Sequence, residues 1–255
     1  MTTKERKETD DGLTEVRTTA ETKTETKTET ESGALRNNAA VDSGAPKSGK
    51  TSRSTKGRPR AFDRRTALVE ALRVFWRLGY EPASVAILCK TMGINPPSFY
   101  AAFGSKAELF IEAVNYYEAA YWSEPLRNLE RYGKGSVFEA FESFFDEAAE
   151  ILLNPSNPSG CMVVLAAVNI SPDESEISAL VRRLRIETCA VFERRLRRAV
   201  EEGELSKETD VKALADFINI FLEGMSIQAK DGMDLATLKR AVRPLHAALR
   251  AASSK

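Results

Sequence analysis

Residues 84–103 read SVAILCKTMGINPPSFYAAF, and the spacing of a few positions within them decides the fold. Pro82 keeps the preceding chain out of helix, and Ser84 stands where an N-cap belongs, just ahead of Val85, Leu88 and Met92 on one helical face. The short helix this predicts ends at Gly93. Asn95 then caps a second helix that opens on Pro96 and Pro97; proline is harmless there because those first amides have no intrahelical acceptor. Only Gly93 and Ile94 separate the two helices. A pair joined by so tight a turn is the arrangement in which the second helix lies in a DNA major groove while the first braces it. From Asn95 to Phe103 the second helix has small or flat polar groups at its exposed start, including Ser98 and Ala101, and aromatic anchors behind. Small groups let a backbone approach bases closely.

Working outward, Leu68, Leu72, Phe75 and Trp76 recur at helical spacing and Gly79 follows them, which predicts a preceding helix. Phe75, Trp76, Phe99 and Phe103 are assigned to the core. Downstream, Ser105 and Glu108 stand three apart as a capping box opening a fourth helix. That helix carries Leu109, Phe110, Ala113, Val114 and Tyr117 inward and is expected to run to about Trp122, before Pro125. Beyond it only helical periodicity appears, over about 137–153, 161–168, 174–201, 210–230 and 234–251. The predicted fold is all-α: a three-helix helix-turn-helix domain followed by a helical domain.

The formal net charge is zero, from 37 basic and 37 acidic residues, but the charges are unevenly placed. From Pro46 to Arg60 the charged residues are Lys47, Lys50, Arg53, Lys56, Arg58 and Arg60, with no acid among them. Arg64, Arg65, Arg73, Arg77, Lys90 and Lys106 follow, opposed before Glu108 only by Asp63, Glu70 and Glu81. A local basic patch of this kind attracts a polyanion. Residues 1–56 hold almost no large apolar side chains and include a Glu-Thr-Lys-Thr repeat, so they read as a disordered polar tail. Cys89, Cys161 and Cys189 are far apart, without disulfide-framework or zinc spacing, and fit a reducing cytoplasm. No stretch approaches the roughly 20 apolar residues of a membrane helix. His246 is the only histidine, and no nucleophile motif accompanies it, so neither an enzyme nor a cofactor or metal site is expected.

From Gly57 to about Tyr121 the chain resembles the TetR/AcrR-type regulators. The segments that carry the resemblance are Gly57-Arg58-Pro59-Arg60, 71–79 with Phe75, 84–93, Ile94-Asn95-Pro96-Pro97-Ser98-Phe99-Tyr100, and 103–110, in that order and spacing. The resemblance implies a DNA-binding domain over 57–121, with the helix-turn-helix at about 84–103. It further implies an effector-binding and dimerisation domain over 122–255, and a homodimeric repressor released from double-stranded operator DNA by a small molecule. By the same resemblance Ser84 caps its helix and contacts a phosphate, Tyr100 touches the DNA backbone, and Lys106 reaches a phosphate at a helix N-terminus. Asn95, Pro96, Pro97, Ser98 and Ala101 occupy base-facing positions. The two prolines depart from the usual pattern and can read DNA only through apolar contact, so specificity shifts toward Asn95, Ser98 and DNA shape. Arg58 and Arg60 are placed to enter a minor groove or hold phosphates.

In the C-terminal half, the continuous apolar run from Cys161 to Ala167 predicts a buried helix. The resemblance implies that it lines a ligand cavity with Phe141, Phe144 and Phe145, Cys161 and Leu165 being candidate contacts, the alternative being that these residues are plain core. The apolar stripes of 210–230 and 234–251 are expected to form a four-helix dimer interface. Pro244 is expected to kink the second of these helices. The arginines between Arg182 and Arg198 read as a solvated face with acidic neighbours. An alternative on the same scaffold is a redox- or metal-responsive regulator using Cys89, Cys161 or Cys189.

Overall fold

The computed structural model describes residues 62–131, 135–166, 170–171 and 174–252, and the elements among them are helices. Arg58, Arg60 and the polar tail lie outside the described residues. No helix among those described is long and apolar enough to cross a membrane.

Each helix of the head starts on the cap its sequence supplies. Asp63 accepts from the Arg65 amide at the start of α1 (Arg64–Leu78), and Gly79 follows with φ at 84°. Ser84 accepts from the Ile87 amide to open α2 (Val85–Met92). Gly93 then adopts the left-handed conformation, φ 67°, which lets the chain reverse in two residues. Asn95 accepts from the Ser98 amide at 2.9 Å to open α3 (Pro96–Phe103). These helices and α4 (Lys106–Tyr117) pack around Phe75, Phe99, Phe110 and Leu88, all buried, with Phe75 and Phe110 edge to face at 5.1 Å. The capping box at Ser105 is only half made: Ser105 accepts from the Glu108 amide, but its own amide donates to the Phe103 carbonyl. The complete box lies at Ser136 and Glu139 instead.

The fourth helix does not stop before Pro125. After Tyr117 it widens into a π turn, Glu118–Trp122, in which the Ser123 amide reaches back five residues to the Glu118 carbonyl. The extra residue lets the chain resume as α5 (Ser123–Glu130) with Pro125 in its first turn, where an amide is not required.

Behind the head, α6 (Val137–Leu152), the short α7 (Met162–Ala166), α8 (Ser175–Glu201), α9 (Val211–Lys230) and α10 (Leu235–Ala251) form the body. At 27 residues α8 is the longest, about 40 Å at 1.5 Å per residue. It packs on α9, while α10 packs on α6. The helix of α10 continues through Pro244, and its stripe of Leu238, Val242, Leu245 and Leu249 is buried within the chain.

The arginines of α8 correct the expectation of a solvated face in part. Arg183, Arg194 and Arg197 are exposed and paired with Glu187, Glu130 and Glu193. Arg195, however, is only 2% exposed and pairs with Glu204. Arg198 donates to the Glu130 and Arg131 carbonyls at 2.6 and 3.3 Å, closing the C-terminal end of α5 where free carbonyls collect negative charge.

Candidate nucleic-acid interface

The two sides of α3 have opposite character. Phe99 and Phe103 are buried in the head, whereas Asn95, Pro96, Pro97 and Ala101 are exposed, Tyr100 is 54% exposed and Ser98 is half-buried. The side-chain oxygen of Asn95 is committed to its cap, which leaves the amide nitrogen available outward. Ser84, also exposed, is the cap of α2. All seven predicted contacts from Ser84 to Ala101 that the structure describes therefore lie on α2, α3 or their capping positions.

The cations of the head fall into three groups. Arg64 is a brace: it forms a bidentate pair with Glu112 at 2.5 and 2.7 Å, donates to the Ala102 carbonyl and lies over the Phe103 ring. It thereby ties α1 and α4 to the end of α3. Arg73 pairs with Glu70. Arg65 is exposed beside the Asp63 carboxylate, and Arg77 and Lys90 are exposed with no partner among the described residues. Lys106 occupies a seat of its own, its ammonium 4.1 Å from the Tyr80 ring centroid and donating to the Glu81 carbonyl at 3.2 Å.

A dense junction joins the head to the body, beside a second link in which the Ser171 amide donates to Glu81 at 3.1 Å. Trp76 Nε1 donates to the Gly160 carbonyl at 2.8 Å, and the Cys161 amide donates to Ser226 Oγ at 2.7 Å. Trp122 Nε1 donates to the hydroxyl of the fully buried Tyr117, also at 2.8 Å. Beside this junction is a cavity of about 40 Å³. Glu118 and Trp122 of the π turn line it with Leu152, Cys161, Arg185 and Asn219, among others. Of the effector contacts expected from sequence, Cys161 lines this space. Phe141, Phe144 and Phe145 pack instead against Phe192 and Phe221, and Leu165 is outside the lining. Glu118, Arg185 and Asn219 were missed because they come from three separate helices, with no local motif to mark them.

A braced three-helix head that displays a capped polar helix, joined to a separate helical body, defines a helix-turn-helix DNA-binding transcriptional regulator. Residues 67–113 match the model described as bacterial regulatory proteins, tetR family, and residues 138–245 match the tetracyclin repressor-like C-terminal domain. The HTH-type transcriptional repressor ComR of Escherichia coli is 31% identical over 186 residues, spanning 73% of this chain and 88% of that relative. The HTH-type regulator YezE of Bacillus subtilis is 32% identical over 184 residues, 72% of this chain and 94% of the relative. A solved cysteine mutant of the TetR family regulator CifR, complexed with 26-base-pair operator DNA, is 39% identical. The match covers 75% of this chain and 99% of CifR, with a TM-score of 0.70. The chain belongs to the TetR family of bacterial regulatory proteins.

Proposed function

We propose that this chain is a homodimeric repressor in the bacterial cytoplasm, in which each subunit lays α3 in a major groove of a near-palindromic operator until a small molecule binds the body. The observation that carries this reading is the division of α3 into a buried aromatic side and an exposed side of caps, prolines and small groups. The operator complex of CifR, at 39% identity, supports it. Asn95, Pro96, Pro97, Ser98 and Ala101 face bases, while Ser84, Tyr100 and the unpaired Lys90 meet phosphates. Lys106 joins them by leaving its seat on Tyr80, and Arg58 and Arg60 extend the contact as an arm.

The dimer face is drawn from α9 and its neighbour α8. Phe217, Ile220 and Ile227 of α9 are 47%, 69% and 45% exposed, a stripe that a single chain leaves uncovered, and Ile186 of α8 is 53% exposed. The two stripes expected from sequence are used within the chain instead: Ile218, Leu222 and Met225 of α9 are buried, and the α10 stripe is covered by α6. A second copy fits this face because a two-fold operator requires a two-fold protein.

Burial disfavours the redox alternative. It pushes the Cys89 thiol upward and holds Cys161 and Cys189 at about 11, so the reactive thiolate is scarce at all three. The test is selection of duplexes from a random pool by purified protein. Enrichment of a palindrome with half-site centres about one helical turn, roughly 34 Å, apart, bound by two chains, is expected. Folded protein that enriches nothing over random competitor would overturn the proposal.

A further inference from the structure

The polar groups around the cavity do not balance. Arg185 Nε stands 3.8 Å from Glu223 Oε1, and Asn219 Nδ2 donates to the same oxygen at 3.2 Å. Thr188 gives its hydroxyl to the Leu184 carbonyl. Two groups are left over: Arg185 Nη1 is buried without a hydrogen-bond partner, and the Glu118 carboxylate has neither a hydrogen bond nor an ion pair among the described residues. The surrounding wall is apolar, built from Trp122, Leu152, Val163, Leu184 and Leu222. A carboxylate in such a place is unfavourable unless a cation meets it. Burial, reinforced by the charge of Glu187, accordingly pushes Glu118 from the ordinary 4.5 up to about 7.

Resting on the regulator reading above, which calls for a ligand without giving its chemistry, we propose that this cavity binds a small organic ammonium ion, its charge on Glu118 and its short aliphatic body against Trp122, Leu184 and Leu222. With Glu118, Glu223 and Arg185 all ionised the cavity carries one net negative charge, which a monocation cancels and a carboxylate would double. A neutral guest could donate a hydrogen bond to Glu118 but would leave its charge uncompensated. Trp122 adds the attraction of an aromatic face for a cation. A space of about 40 Å³ suits a guest of a few heavy atoms. Glu118 and Trp122 are the first and last residues of the π turn that continues α4, so a guest that engages them acts on the helix that begins at Lys106.

Full-length protein at about pH 8, where Glu118 is mostly ionised, is titrated with n-butylammonium, n-butanol and butyrate, followed by calorimetry and tryptophan fluorescence. Trp76 and Trp122 are the only tryptophans, and Trp76→Phe isolates the second. Saturable binding of butylammonium is expected, at least about tenfold tighter than butanol or butyrate, with a loss of about tenfold or more in Glu118→Gln. Leu222→Phe, which fills the cavity and leaves Glu118 in place, is expected to abolish binding as well. Comparable binding of the three probes, or butylammonium affinity unchanged in either variant, overturns the proposal. The titration contains no DNA: protein that selects a duplex but ignores butylammonium refutes this inference alone, and protein that binds butylammonium but selects no duplex refutes only the regulator reading.

Discussion

At Gly160 three segments meet within hydrogen-bonding distance. Its carbonyl accepts from Trp76 of α1, its amide donates to the Leu152 carbonyl at the end of α6, and an added Cβ would stand 2.7 Å from the Ser226 carbonyl of α9. Its φ of 84° is one that a side chain rarely adopts. Gly160→Ala should therefore destabilise the fold by about 2–3 kcal/mol, since strain and overpacking act together. A thermal melt indistinguishable from wild type would contradict this. Glu118 makes a second prediction at this scale. Its folded-state value lies above the unfolded one, so the native state binds the proton more tightly. Its contribution to stability is complete below pH 4.5 and is lost as pH rises through about 7. Glu118→Gln should accordingly raise stability relative to wild type at about pH 8, by roughly 2 kcal/mol, and leave it nearly unchanged at about pH 4. A gain independent of pH would show that the carboxylate's ionisation is not the cause.

Among the elements, α3 has to be separated from its own cap. Asn95 starts the helix and, in the proposed complex, stands at its DNA-facing end, so loss of function in an alanine variant would be ambiguous. Asn95→Asp keeps the capping oxygen but replaces the amide donor with negative charge. Its melting temperature should match wild type within a degree or two, the shift expected of less than about 0.5 kcal/mol, while operator affinity falls sharply. Equal affinity would remove Asn95 from the interface. Lys106→Ala tests a different property of the same head. Loss of one phosphate contact should weaken binding to all sequences and reduce the slope of log affinity against log salt by about 1 for each subunit. A preserved slope would mean that Lys106 remains on Tyr80 and Glu81 in the complex.

For the whole molecule, the proposed dimer face on the exposed stripe of α9 would link assembly to DNA binding. Ile220, at 69% exposure, is the most open large apolar residue of that stripe. Ile220→Glu should leave the subunit folded, because the described residues leave the side chain 69% exposed, yet place a charge against its symmetry mate. Sedimentation is expected to show a monomer, and operator affinity should fall by about tenfold or more once the two heads are no longer held together. A dimer that survives this change would place the interface elsewhere.

The helices, their caps and the glycine turn of the head were legible in the sequence because each depends on contacts no more than four residues apart. Ser84, Gly93, Asn95 and Ser105 stand where local hydrogen bonding requires them. Membership of the all-α class followed from the same short-range periodicity. Chain folding alone decided whether an apolar stripe is used inside the subunit or left open. The stripes of α9 and α10 look alike as sequence and both are buried within the chain, Ile218, Leu222 and Met225 against α8 and α6 and the α10 stripe against α6, whereas a second face of α9 with Phe217, Ile220 and Ile227 is left exposed. Likewise Pro125 marks a helix end by local rules, and only the π turn before it lets the helix proceed. The unbalanced charge of Glu118 is invisible in sequence because balance is a property of what surrounds a group, and those neighbours arrive from helices distant along the chain.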